Sequence, residues 1–104
     1  FYLGVLAAQQ NESIQMNPFL TCVRHHESDR GPYPHTAGYQ AENPVSSASG
    51  AYQFIDSTWR SVSAAAGYPG YGHASWAPPS VQDRVAYHVA IELGQRYHWN
   101  GTGC

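Results

Sequence analysis

An α-dominated fold in one small domain is the prediction from this chain, and three observations carry it. Asn17-Pro18 is a helix start, with an N-cap residue directly before the proline that suits the first helical position. Val85, Ala86, Val89 and Ala90 recur at helical spacing. No segment alternates apolar and polar residues for long enough to make an extended strand. A chain of 104 residues has room for one core, and fourteen aromatic residues imply that this core is packed rather than disordered.

The elements follow in order. Residues 1–10, with Tyr2, Val5 and Leu6 on one side, read as a short helix broken at Asn11-Glu12-Ser13. A second helix starts at Asn17, presents Phe19, Leu20 and Val23 as its apolar stripe, and runs to about Ser28 before Gly31-Pro32 stops it. Residues 29–48 have no periodicity and read as a loop or loose hairpin. Asp56 is expected to cap a third helix that carries Trp59, Val62 and Ala66 on one face and closes at Gly67. Residues 67–79 form an aromatic loop rich in Gly and Pro. A last helix is expected from Ser80, where Ser80-Val81-Gln82-Asp83 resembles a capping box. Its buried stripe would be Val85, Ala86, Val89, Ala90, Leu93 and Tyr97. The tail Trp99–Cys104 is too rich in Gly to be helical.

Composition removes several function classes. Five Arg, no Lys and a formal charge of −2 give no footprint for nucleic acid. Six His would carry the net charge from −2 to +4 on full protonation, so charge-dependent contacts would vary with pH. The longest apolar run, residues 1–8, falls far short of the ~20 residues of a membrane helix. Without a charged segment before it, that run is not an intact signal peptide, and a start at Phe1 implies removal of something upstream. The two cysteines, Cys22 and Cys104, are too few for a zinc ribbon. They suit a disulfide in an oxidising compartment, with two free thiols as the alternative. A bridge across this span would stabilise by about 4–5 kcal/mol.

The densest chemistry is Arg24-His25-His26-Glu27-Ser28-Asp29-Arg30 at the end of the second helix. A carboxylate there meets the negative end of the helix dipole, and partial burial would raise its pKa toward that of a general acid. The alternative is a solvated ion-pair cluster of Glu27 or Asp29 with Arg24 or Arg30. His25, His26, Glu27 and Asp29 are also metal-ligand types. Adjacent helical residues point about 100° apart, however, and the His-Glu-x-x-His spacing is absent, so no metal is expected. In the second cluster, Ser49-Gly50-Ala51-Tyr52-Gln53-Phe54, Gly50 permits close approach and Gln53 offers both donor and acceptor. Tyr33, Tyr39, Tyr68, Tyr71 and Trp76 are candidates for a sugar-binding groove or for the roof of the core. No Gly-x-Ser-x-Gly elbow is present. Asn11-Glu12-Ser13 and Asn100-Gly101-Thr102 match the N-glycosylation pattern, which has meaning only in a eukaryotic secretory pathway.

Cys22-Val23-Arg24-His25-His26-Glu27-Ser28, Ser49 to Phe54, Ser57-Thr58-Trp59, Val85 to Gln95 and the terminal Cys104 together resemble the resuscitation-promoting-factor catalytic domain of actinobacteria. That domain is a compact member of the lysozyme and lytic-transglycosylase superfamily. The resemblance implies a lysozyme-like domain with helices around a substrate cleft. Residues 18–104 would be the catalytic core and 1–17 an N-terminal helical extension. It implies a secreted bacterial enzyme of the cell wall, monomeric and without cofactor, cutting the MurNAc–GlcNAc bond of peptidoglycan glycan strands alongside other cell-wall enzymes. Glu27 matches the catalytic glutamate. Gln53, Thr58 and Gln95, with Ser49 and Tyr52 of the second motif, would contact substrate, and Cys22 and Cys104 match the family's disulfide. Ser28-Asp29-Arg30 stands where the family has a Gly-Gly pair, and the stretch from Glu27 to Gln53 is longer. A single acid/base glutamate suits transglycosylation to 1,6-anhydro ends. A hydrolase would want a second carboxylate, for which Asp29 and Glu42 are candidates. A non-catalytic wall-binding module and a fragment of a larger phage or wall protein are the other readings.

Overall fold

The computed structural model describes residues 2–29 and 37–104, with the side chains of 2–8 and 37 left aside. The fold is α-dominated, as expected. Its helices are α1 (Tyr2–Gln15), α2 (Pro18–Glu27), α3 (Asp56–Ala65) and α4 (Pro79–Tyr87). Among the described residues, extended structure amounts to the isolated bridges Glu42–Ser49 and Ser49–Phe54. Cys22 and Cys104 form a disulfide that ties α2 to the chain end.

Local chemistry sets α2 as the sequence predicts. The Asn17 side chain accepts from the Phe19 and Leu20 amides, at 3.0 and 3.2 Å, and Pro18 occupies the first position. Leu20 and Val23 are fully buried. Other expectations yield to longer-range partners. The helix α1 does not break at Asn11-Glu12-Ser13 but continues to Gln15. It packs along α4, where Arg84 Nε donates to Asn11 Oδ1 at 2.6 Å, and this tertiary contact overrides weak propensity. Asp56 is not the cap of α3. Ile55 holds that place, Asp56 opens the helix, and the Asp56 carboxylate turns to His73.

Likewise Ser80 does not cap α4, which starts at Pro79 after Pro78. Asp83 is buried among Tyr39, Tyr52 and Arg24 rather than folded back on the helix start. The last helix passes into a π-helical turn, His88–Glu92, and stops. That wider turn rotates the following residues off the stripe: Val85, Ala86, Val89 and Ala90 are fully buried, while Leu93 and Tyr97 are exposed. Residues Arg96–Thr102 form 3-10 turns kinked at Trp99, so the tail from Trp99, expected to be non-helical, is helical as far as Thr102. The core gathers Trp59, Tyr52, Phe54 and Trp99 from α3, the 49–54 turn and these last turns.

Candidate active site

Glu27 is the last residue of α2 and half-buried. Burial pushes its carboxyl above the ordinary carboxylate range, and its place at the negative end of α2 acts in the same direction. The carboxyl is therefore biased toward the protonated form. The next residue fixes this helix end to the second cluster: Ser28 Oγ donates to the Ala51 carbonyl at 2.8 Å. Gly38 lies so close to Ser28 that a Cβ there would fall 1.9 Å from its Oγ.

The 49–54 turn is held from every side. Ser49 is buried, and its Oγ accepts from the Ser75 amide. The fully covered Gln82 accepts from the Ala51 amide and donates to the Tyr39 and Ala77 carbonyls. A Cβ on Gly50, whose φ is +78°, would come within 2.5 Å of Gln82 Oε1. Trp99 Nε1 donates to the Tyr52 carbonyl at 3.0 Å. At Gln53 the backbone takes φ = +54°, unusual for a residue other than glycine, and the Gln53 amide donates to the Gly50 carbonyl. Backbone held in a sparsely populated region by such over-determined surroundings is typical of ligand sites.

Gln53 and Thr58 line one depression with His98, Phe54 and Trp99. Thr58 and His98 also line an adjoining one with Gln95, Ser57, Ser61 and Tyr97. Gln53, Thr58 and Gln95 therefore come together along two adjoining depressions that share Thr58 and His98; Glu27 lines neither, and the Ser28–Ala51 hydrogen bond ties the end of its helix to the 49–54 turn. Ser49 and Tyr52 are buried and position the turn, and Tyr52 also belongs to the lining of the depression with Gln53 while its hydroxyl is bonded to Asp83. Tyr39 is buried as well, with its hydroxyl on Asp83. Tyr68 lines a separate depression between α1 and α4, Tyr71 accepts from Trp59 Nε1 through its carbonyl, and Trp76 is exposed. Tyr33 and Arg30 lie outside the described residues. The Cys22, His26 and Cys104 ligand atoms approach one another closely, but the two sulfurs are bonded to each other.

Glu42 and Asp56 are engaged elsewhere, on His73. Glu42 accepts from Ser75 Oγ and pairs with His73 Nε2 at 2.6 Å, while His73 Nδ1 meets Asp56 at 2.6 Å. With a carboxylate on each ring nitrogen, both nitrogens donate and the clamp uses the imidazolium. The Glu42 and Asp56 hydrogen bonds raise the His73 pKa, so its contribution to stability is complete below 6.5 and fades as pH rises through the raised value. The Ser75 and then His73 hydrogen bonds lower that of Glu42, whose contribution is complete above 4.5 and fades as pH falls through the lowered value. The clamp is thus fullest between pH 4.5 and 6.5. Thermal melting should show the parent losing stability on the alkaline side of that window and His73→Asn losing less. Identical profiles would count against the clamp.

The chain is 38% identical over 92 residues to the probable transglycosylase SceD of Staphylococcus aureus strain Mu3, and 37% identical to that of strain Newman. The match covers 88% of this chain and 36% of each relative, so the chain spans about a third of the length of these curated proteins. No family model and no solved structure matches the chain.

Proposed function

We propose that this chain is a peptidoglycan-cleaving domain working as a lytic transglycosylase, with Glu27 as its acid and base. The observation that carries the reading is the half-buried Glu27 carboxyl, raised by burial and anchored beside a strained, rigid turn that leads into a polar and aromatic groove. Similarity to relatives named as transglycosylases, and to the resuscitation-promoting-factor pattern, points to the same class.

In this reading the protonated Glu27 carboxyl donates its proton to the oxygen of the MurNAc–GlcNAc bond, which breaks. The resulting carboxylate takes the proton of the 6-hydroxyl on the same MurNAc ring, and that oxygen closes on the anomeric carbon. Because the nucleophile is tethered to the reacting ring, proximity favours this route. Gln53, Thr58 and Gln95 would hold the sugars through hydrogen bonds. A hydrolytic route would need a carboxylate free to direct water. Glu42 is held by His73 and Ser75, Asp56 by His73 and Asp83 by two tyrosines and Arg24, which counts against Glu42, though not against Asp29, as the carboxylate of a hydrolase. The place of action on this reading is the bacterial cell wall.

Mass spectrometry of digested peptidoglycan tests the proposal. Muropeptides with 1,6-anhydro ends, one water lighter than reducing-end products, are expected from the earliest time points. Reducing ends alone would make the domain a muramidase and bring Asp29 forward as the water-directing group. No released product at all would leave only a wall-binding role.

A further inference from the structure

We propose that the exposed face of Tyr97, the ring backed on its other side by His98, forms an aromatic platform that binds the flat face of a sugar ring, extending the groove beyond Thr58 as an additional glycan subsite. This inference rests on the glycan-cleaving reading above and names a part of the site which neither the cluster at Glu27 nor that at Gln53 contains.

The two rings stack on each other, with centroids 4.4 Å apart and planes 28° from parallel. His98 is fixed in turn by edge contacts to Phe54, at 6.4 Å, and to Trp99, at 5.7 Å. The platform is thus built on the core, yet Tyr97 remains 61% exposed. An aromatic ring turned to water costs apolar burial, and a helical continuation of the α4 stripe would have hidden it. The π-helical turn and the 3-10 turns after it bring it out instead.

The segment is anchored at both ends. The Gln95 amide donates to the Val89 carbonyl, Trp99 Nε1 donates to the Tyr52 carbonyl, and Cys104 is bonded to Cys22 on the helix that bears Glu27. A pre-ordered ring loses little freedom on binding.

The surroundings select the ligand class. His98 lines both depressions and so joins the platform to Gln53 and Thr58, while Ser57, Ser61 and Gln95 offer hydroxyls and an amide around the rings. Pyranose rings present C–H groups on their faces and hydroxyl or acetamido groups at their edges, which matches aromatic rings rimmed by small polar side chains. Burial also lowers the His98 pKa, which favours the neutral ring.

Binding of peptide-free glycan strands to the catalytically silenced Glu27→Gln protein tests the platform. Adding Tyr97→Ala should weaken binding about 3- to 10-fold, the loss expected for one ring-stacking contact. Tyr97→Phe keeps the ring and should bind as the parent does, which separates stacking from any effect of the hydroxyl. In the otherwise wild-type chain, Tyr97→Ala should raise KM with kcat little changed. Strands held equally well by the parent and the Tyr97→Ala protein would overturn the platform and leave the proposed function standing. Strands held by neither would overturn both.

Discussion

Glu27→Gln should reduce glycan cleavage by at least ~100-fold while the domain melts at or above the parent temperature. Gln keeps the shape of the side chain and cannot deliver a proton. The parent carboxyl is raised by burial, so the ionised form is the one the fold disfavours. Removing an ionisable group from that position therefore costs no folding stability at neutral pH. The same raised pKa sets the pH dependence. A general acid must hold its proton, so kcat/KM should fall as pH rises through the Glu27 pKa, on the alkaline side of the ordinary value of 4.5. The measurements are product release from purified sacculi across pH and thermal melting of both proteins. Activity near the parent level in Glu27→Gln would move the chemistry to another residue, and a large drop in melting temperature would assign Glu27 a structural role.

What the sequence made legible was the chemistry set by near neighbours. The Asn17-Pro18 start is a motif spanning three residues, and the structure uses it as such. Gly67, with φ at +93°, closes the region after α3 where the pattern ended. Val85 to Ala90 could be read because they lie within two helical turns. Misreadings arose where a side chain that suits a local cap found a better partner far along the chain. Asp56 pairs with His73, 17 residues on, and Asp83 binds the Tyr39 hydroxyl 44 residues back. Cap geometry contributes about 1 kcal/mol, and the buried network around Asp83 outweighs it.

The same division runs through the site. Gln53 and Thr58 share a groove lining as the motif order suggested, yet the left-handed backbone of Gln53 has no signature in composition. Ser49 and Tyr52 carried the right chemical types for substrate contact, but nothing in the pattern showed that Ser75 and Asp83 would claim their polar atoms. Tyr97 and His98 were hidden by the opposite error. A stripe extended at 3.6 residues per turn buries Tyr97, whereas one π-helical turn is enough to expose it.

Asp83→Ala is expected to destabilise the domain by about 3–5 kcal/mol, enough to lower its melting temperature by upwards of roughly 15 °C. Arg24 has no exposed surface, and its Nη1 lies 3.7 Å from Asp83 Oδ1 and 2.8 Å from the Tyr52 hydroxyl. That same Asp83 oxygen accepts from Tyr39 at 2.6 Å and from Tyr52 at 2.5 Å. Burial pushes the Asp83 carboxyl up, against the opposing pull of the two tyrosines and Arg24. Truncation removes the counter-charge of a buried guanidinium and the acceptor of two buried hydroxyls at once, and unmade buried bonds cost more than made ones contribute. Because a domain has only about 5–15 kcal/mol in total, the variant should sit near its unfolding threshold.

Coupling to Arg24 is the sharper test. If the two charges stabilise through each other, the Arg24→Ala/Asp83→Ala protein should lose clearly less than the sum of the single losses in denaturant titrations, since the second truncation removes a group already orphaned. Additive losses would mean that each side chain acts through packing alone. Activity should fall with the same network even below the melting transition. Arg24 lies one helical turn before Glu27, Tyr52 directly precedes Gln53, and the network joins them, so loosening it moves the acid relative to the groove. Such misplacement lowers kcat, since near-attack geometry is lost when the catalytic group shifts by about 1 Å.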